Sequence, residues 1–145
     1  MRASLAVWAI LLVRSCGPAN SLDQADRFYR TGRYPDAFKS YRDLATDGAA
    51  KVRVKAMIGA GRAANRLHDI SQARRFLAGA VAEAEIPGVS EDAYFEYAER
   101  LRADGEVASA QQFYYRAAAG AERNRNKTHP YQAAINAIMT LRSQR

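Results

Sequence analysis

The sequence predicts an all-α protein, an α-solenoid of three helix pairs closed by a C-terminal capping helix. Three observations carry this. Glycine and proline are scarce, nine and four in 145 residues, and alanine and arginine are abundant, which favours helix over a many-stranded fold. Small and large residues recur along the chain at a nearly fixed spacing. The step from Ala37 to Ala73 is 36 residues and that from Ala73 to Ala110 is 37, a period that belongs to stacked helical arrays. Third, 48% of the residues are hydrophobic and they spread along the whole chain, which argues against disorder. The length allows one domain.

The columns of the repeat have a physical logic. Gly32, His68 and Gly105 align as turn residues. Glycine takes a left-handed backbone cheaply there, and histidine tolerates it better than a branched residue does. Five residues after each turn stands alanine: Ala37, Ala73, Ala110. Seven residues before each stands Ala25, Gly61 or Ala98, with Gln24, Ala60 and Tyr97 one position earlier. Small residues on both helices of a pair let their axes approach closely. Phe28, Tyr41, Leu77, Leu101 and Tyr114 then fill the space between them.

The elements follow in order. Helices are expected at 22–31, 34–46, 50–67, 70–84, 91–103 and 106–122. Pro35 suits the first turn of the second helix. Ser90, followed by Glu91 and Asp92, is expected to cap the fifth helix, with acids favourable near its positive end. Residues 124–129 read as a loop. Pro130 opens a capping helix at 130–143, whose Ala134, Ile135, Ile138, Met139 and Leu141 would cover the third pair. The repeats span about 18–50, 54–87 and 91–124 within a domain of 22–145.

Residues 1–21 read as an export signal. Arg2 precedes the apolar run Leu5 to Val13, and Arg14, Gly17 and Pro18 end it. The run is about half of what a membrane-spanning helix needs. Small residues at Ala19 and Ser21 favour cleavage after Ser21. An uncleaved anchor and a buried first helix are the other readings. Val13-Arg14-Ser15-Cys16 also resembles a lipoprotein processing box, although Arg14 is out of place in it, so lipidation at Cys16 is a further alternative. Lipidation would tether the domain to a membrane. The expected location is periplasmic or secreted. Cys16 is the one cysteine, which excludes an intrachain disulfide.

The columns resemble the tetratricopeptide repeat. Thr31-Gly-Arg-Tyr-Pro-Asp-Ala-Phe-Lys-Ser-Tyr-Arg-Asp-Leu44 is the closest match, and Asp104 to Ala117 is nearly as good. The unit at Asn65 to Ala80 departs at His68. The family's tryptophan is absent, with Ser21, Met57 and Tyr94 in that column, and its closing proline is displaced to Pro87. The resemblance covers roughly 22–122 and implies a binding module rather than an enzyme. It implies that the first helix of each pair lines a concave groove. Leu22, Asp26, Tyr29 and Arg30 would contribute from the first unit, and Lys55, Ile58, Arg62, Asn65 and Arg66 from the second. Asp92, Phe95, Glu99 and Arg102 would contribute from the third.

Tyr29 and Phe95 suit an apolar anchor, and Arg30, Arg62, Arg66 and Arg102 suit carboxylates. The expected partner is therefore a protein segment of acidic character, extended or helical, in envelope assembly or secretion. The competing reading pairs these arginines with acids of the same chain. The family's clamp for chaperone C-termini is not reproduced, because Leu22 and Asp26 stand where Lys and Asn are expected.

No catalytic or cofactor motif accompanies the repeat. There is no Walker loop, no Gly-rich dinucleotide turn and no His-Glu-x-x-His. His68 and His129 read as structural. Asp23/Asp26 and Glu96/Glu99 read as solvated acidic faces. No metal, cofactor or specific nucleic acid is expected. The net charge of +7 leaves one alternative, a binder of an anionic polymer, nucleic acid or acidic glycan, through the arginine-rich surface.

Overall fold

The computed structural model describes residues 20–86, 89–123, 136–138 and 140. The described chain is all-helical. α1 is Leu22–Arg30, α2 Tyr34–Asp47, α3 Ala50–Arg66, α4 Ile70–Glu83, α5 Ser90–Ala103 and α6 Val107–Arg123. Each expected boundary lies within one residue of the observed one. The signal peptide expected at 1–21 and Cys16 lie outside the described residues, apart from Asn20 and Ser21. The capping helix also lies outside them, apart from 136–138 and 140, which are helical.

Local chemistry explains the helix ends. The Ser21 hydroxyl accepts from the Gln24 N–H at 3.2 Å and starts α1. Asp69 accepts from the Gln72 N–H at 3.0 Å and starts α4. Both satisfy an amide with no partner inside its helix. Ser90 does not cap α5. It is the first residue of that helix, and its hydroxyl donates to the Ile86 carbonyl at 2.7 Å. The chain enters α5 through a turn at Ile86, which claims the hydroxyl before the helix can use it.

The three pair-internal turns share one geometry. Gly32, His68 and Gly105 have φ of 76°, 58° and 83°. In each, the amide after the turn residue donates back to the column Phe28, Ala64 or Leu101, at 2.9, 3.0 and 2.9 Å. The turn residue's own amide donates to Tyr29, Asn65 or Arg102, at 3.1 Å each time. This doubled closure satisfies the last carbonyls of α1, α3 and α5. Histidine thus occupies the glycine position with its backbone unchanged.

Consecutive helices pack against each other along the whole order, α1 on α2 through α5 on α6. The core is built mostly of alanine. Ala25, Ala37, Ala60, Ala64, Ala73, Ala98 and Ala110 have no exposed surface. These are the columns where helices touch, and any larger side chain would push them apart. Tyr41, Leu77 and Tyr114 stand one turn further along α2, α4 and α6, and all three are buried. Ile138 is buried against Ala98, Leu101, Ala110, Tyr114 and Ala117, so the C-terminal helical segment covers the third pair.

Candidate interaction face

The first helices of the three pairs come together on one side. α1 approaches α3, and α3 approaches α5. α2 and α4 never come within 8 Å between Cα atoms, nor do α4 and α6, among the described residues. The face of α1, α3 and α5 is therefore continuous across all three units.

A depression of about 260 Å³ lies on this face. Leu22, Asp23 and Asp26 border it from α1, Lys55, Ile58 and Arg62 from α3, Asp92 from α5 and Tyr41 from α2. Of the sequence-predicted groove residues, it gathers Leu22, Asp26, Lys55, Ile58, Arg62 and Asp92. Lys55 and Arg62 are exposed. Ile58 is 6% exposed and packs with Val54 and Ala80, so it forms the floor rather than a free anchor.

Tyr29, Arg30, Asn65, Arg66, Phe95, Glu99 and Arg102 do not line it. Tyr29 is half-buried and meets Tyr34 edge-on, with ring centres 5.5 Å apart. Its hydroxyl accepts a long contact of 3.4 Å from Arg66 Nε. Arg66 itself is exposed, and its guanidinium also lies 5.9 Å from the Tyr34 ring centre. Arg30 is exposed at the end of α1. Asn65 Oδ1 accepts from Arg100 Nη1 at 3.0 Å, which ties α3 to α5. Phe95 packs on Tyr114 at 5.9 Å, and Arg102 pairs with Glu99 at 2.8 Å. Tyr29 thus meets Arg66, while Phe95 packs on Tyr114 and Arg102 on Glu99, all outside the lining of the depression.

Of the four acidic residues read as solvated faces, Asp26, Glu96 and Glu99 turn out to be engaged, whereas Asp23 is exposed. Asp26 accepts the Tyr41 hydroxyl, and Glu99 accepts the Tyr114 hydroxyl. Burial first, and the carboxylate partner second, push both phenols well above the ordinary range. Glu96 receives Arg62 through Nη2 at 2.5 Å and Nε at 2.7 Å. Asp23 and Asp26 border the depression.

The middle unit differs in a telling way. The column of Asp26, Arg62 and Glu99 faces that of Tyr41, Leu77 and Tyr114. In the first and third units a carboxylate meets a phenol. In the second, leucine offers no hydroxyl and the acid is an arginine, which turns instead to Glu96 on α5. The two changes make sense together, and both were visible in the aligned columns. The pairing with Glu96 was not, because 34 residues separate the partners.

Asp92 completes the rim. Burial holds its carboxyl above the usual range, and Arg62 partly offsets this. The depression is thus bordered by two cations and three carboxyls around a small apolar floor. Its charge is mixed rather than basic.

No protein-family model matches the chain, and no curated protein is similar to it in sequence. Among the described residues no helix is long and apolar enough to cross a membrane.

Proposed function

We propose that the chain is a tetratricopeptide-like α-solenoid that binds a segment of a partner protein along the face of α1, α3 and α5. The observation that carries this reading is the continuity of that face. Three first helices meet there, and a depression with an apolar floor and charged rim lies where they join. Such a surface recognises alternating apolar and charged groups on an extended or helical segment.

The acidic character expected of the partner narrows to one edge. Arg30 and Arg66 stand in the last turns of their helices, where the helix dipole also favours cations. Carboxylates on the partner suit that edge. The Asp23, Asp26 and Asp92 side suits a partner cation. Binding of an anionic polymer gains less support, because Arg33, Arg53, Arg62, Arg74, Arg100 and Arg102 all pair with acids of the chain. Export to the envelope belongs to the same proposal and rests on residues 1–21.

Site-specific photocrosslinking in the native host tests the reading. A crosslinking residue at Lys55 or Arg66 should capture one and the same protein. The same probe at Arg116, on α6, should not. Capture should be lost in Lys55→Glu/Arg66→Glu, while the helical circular dichroism stays unchanged. Equal capture from all three positions would refute a groove site.

A further inference from the structure

The opposite side of the molecule carries a second groove, of about 580 Å³, between α2 and α4. It exists because the second helices diverge, as their Cα separation above shows. Phe38 and Phe76 meet edge-on across it, with ring centres 5.6 Å apart. Met57 of α3 shows through from beneath, and Gly79 leaves the α4 wall bare. The rings and the thioether are half-buried, whereas Arg42 and Arg75 stand exposed at the rim.

Gly79 is the informative residue. The other glycines inside helices have a structural reason. A Cβ on Gly59 would come within 2.4 Å of the Tyr41 ring, and one on Gly61 within 2.5 Å of Leu77. A Cβ on Gly120 would come within 2.9 Å of Glu91. At Gly79 the added carbon would meet only the Met57 sulfur, at an ordinary 3.5 Å. Its φ is not positive either. Glycine inside a helix weakens it, and here the packing asks for none. What the missing side chain does provide is room on the groove wall.

The charge of the rim indicates the occupant. The Arg75 guanidinium lies 5.8 Å from the Phe76 ring centre and meets no carboxylate among the described residues. Among the described residues Arg42 pairs with Asp43 alone, at 3.7 Å. Arginine beside an aromatic floor favours a ligand that is apolar at its centre and anionic on either side.

We infer that this groove is a second docking site, which takes an acidic amphipathic helix of a partner protein. One large apolar side chain would sit on Phe38, Phe76 and Met57 above Gly79, with carboxylates one turn away reaching Arg42 and Arg75. This goes beyond the reading of the α1, α3 and α5 face and does not depend on it.

A labelled alanine-based helical peptide with a central phenylalanine and flanking glutamates is the probe, read by fluorescence polarisation against the full chain. A sister peptide with lysines in place of the glutamates is the control. The acidic peptide should bind at least about tenfold more tightly, a difference of about 1.4 kcal/mol. Gly79→Leu should abolish binding by filling the groove, with a melting temperature at or above that of the wild type. Arg42→Glu/Arg75→Glu should remove the preference for acid. Arg30→Glu/Arg66→Glu, on the other face, should leave binding unchanged. The inference fails if both peptides bind equally, if neither binds, or if Gly79→Leu still binds. Association with anionic lipid vesicles but not with the acidic peptide would overturn it in favour of a membrane surface.

Discussion

At the scale of single residues, the paired columns explain more than either residue alone. Tyr114 is fully buried and gives its hydroxyl to Glu99, which also holds Arg102. Tyr114→Phe keeps the ring and removes that hydrogen bond, so unfolding free energy should fall by about 1–2 kcal/mol. The same contact predicts a pH dependence. A phenol whose pKa is higher in the fold than in the unfolded chain contributes fully below about pH 10 and less as pH rises further. Both Tyr41 and Tyr114 are shifted upward. Stability measured by urea should therefore decline from about pH 10 upward, and Tyr41→Phe/Tyr114→Phe should flatten the decline. An equal alkaline decline in that double variant would mean other groups cause it.

The turn residues make a second prediction at this scale. A Cβ at Gly105 meets nothing within 4 Å, so only the left-handed backbone opposes alanine there. Gly105→Ala should cost about 1–2 kcal/mol. His68→Gly relieves the same strain but adds freedom to the unfolded chain, so its gain should stay below about 1 kcal/mol. Thermal melts of the two variants check both signs. A neutral Gly105→Ala would mean that the turn rearranges.

At the scale of helices, the fold was legible because its determinants are local. The turn residues fix where α1, α3 and α5 end, and the small columns fix which faces meet. Ala110 shows how tight those faces are, since it has no exposed surface and sits in the core shared by Leu101, Tyr114 and Ile138. Ala110→Leu should destabilise the protein by about 1–3 kcal/mol through overpacking. An unchanged melting temperature would contradict the close approach of α5 and α6. Pro87-Gly88 announces a turn before α5, but the sequence does not show that the Ile86 carbonyl takes the Ser90 hydroxyl away from the cap. The interaction face was only partly legible for a related reason. Spacing along a helix places Lys55, Ile58 and Arg62 on one side, but it cannot show that Arg62 meets Glu96 or that Asn65 is spent on Arg100. The groove between α2 and α4 is not legible in the sequence because it arises from the divergence of two helices 36 residues apart, not from any pattern within one.

At the scale of the whole molecule, the second and third units are tied by polar contacts to an unusual degree. Arg62 reaches Glu96, and Arg74 reaches Asp104 at 3.4 Å and Glu106 at 2.6 Å. Arg100 lies between Asn65 and Asp104 with its side chain only 10% exposed. The exposed pairs are each worth about 0–1 kcal/mol and are screened by salt. Arg100 is different, because burial shields it from screening and removing it leaves Asp104, only 17% exposed, with the 3.4 Å contact from Arg74 alone. Helices contact mainly their neighbours along the chain, so weakening one junction should loosen what lies beyond it. Arg100→Ala should therefore cost about 1.5–3 kcal/mol, a value set by the lost charged hydrogen bonds to Asn65 and Asp104. The loss should be uneven. Amide hydrogen exchange should rise in α5 and α6 while α1 to α4 keep most of their protection, and added salt should not reproduce the effect. If all six helices instead lose protection together, the junction is not a separable link and the chain unfolds as one cooperative unit.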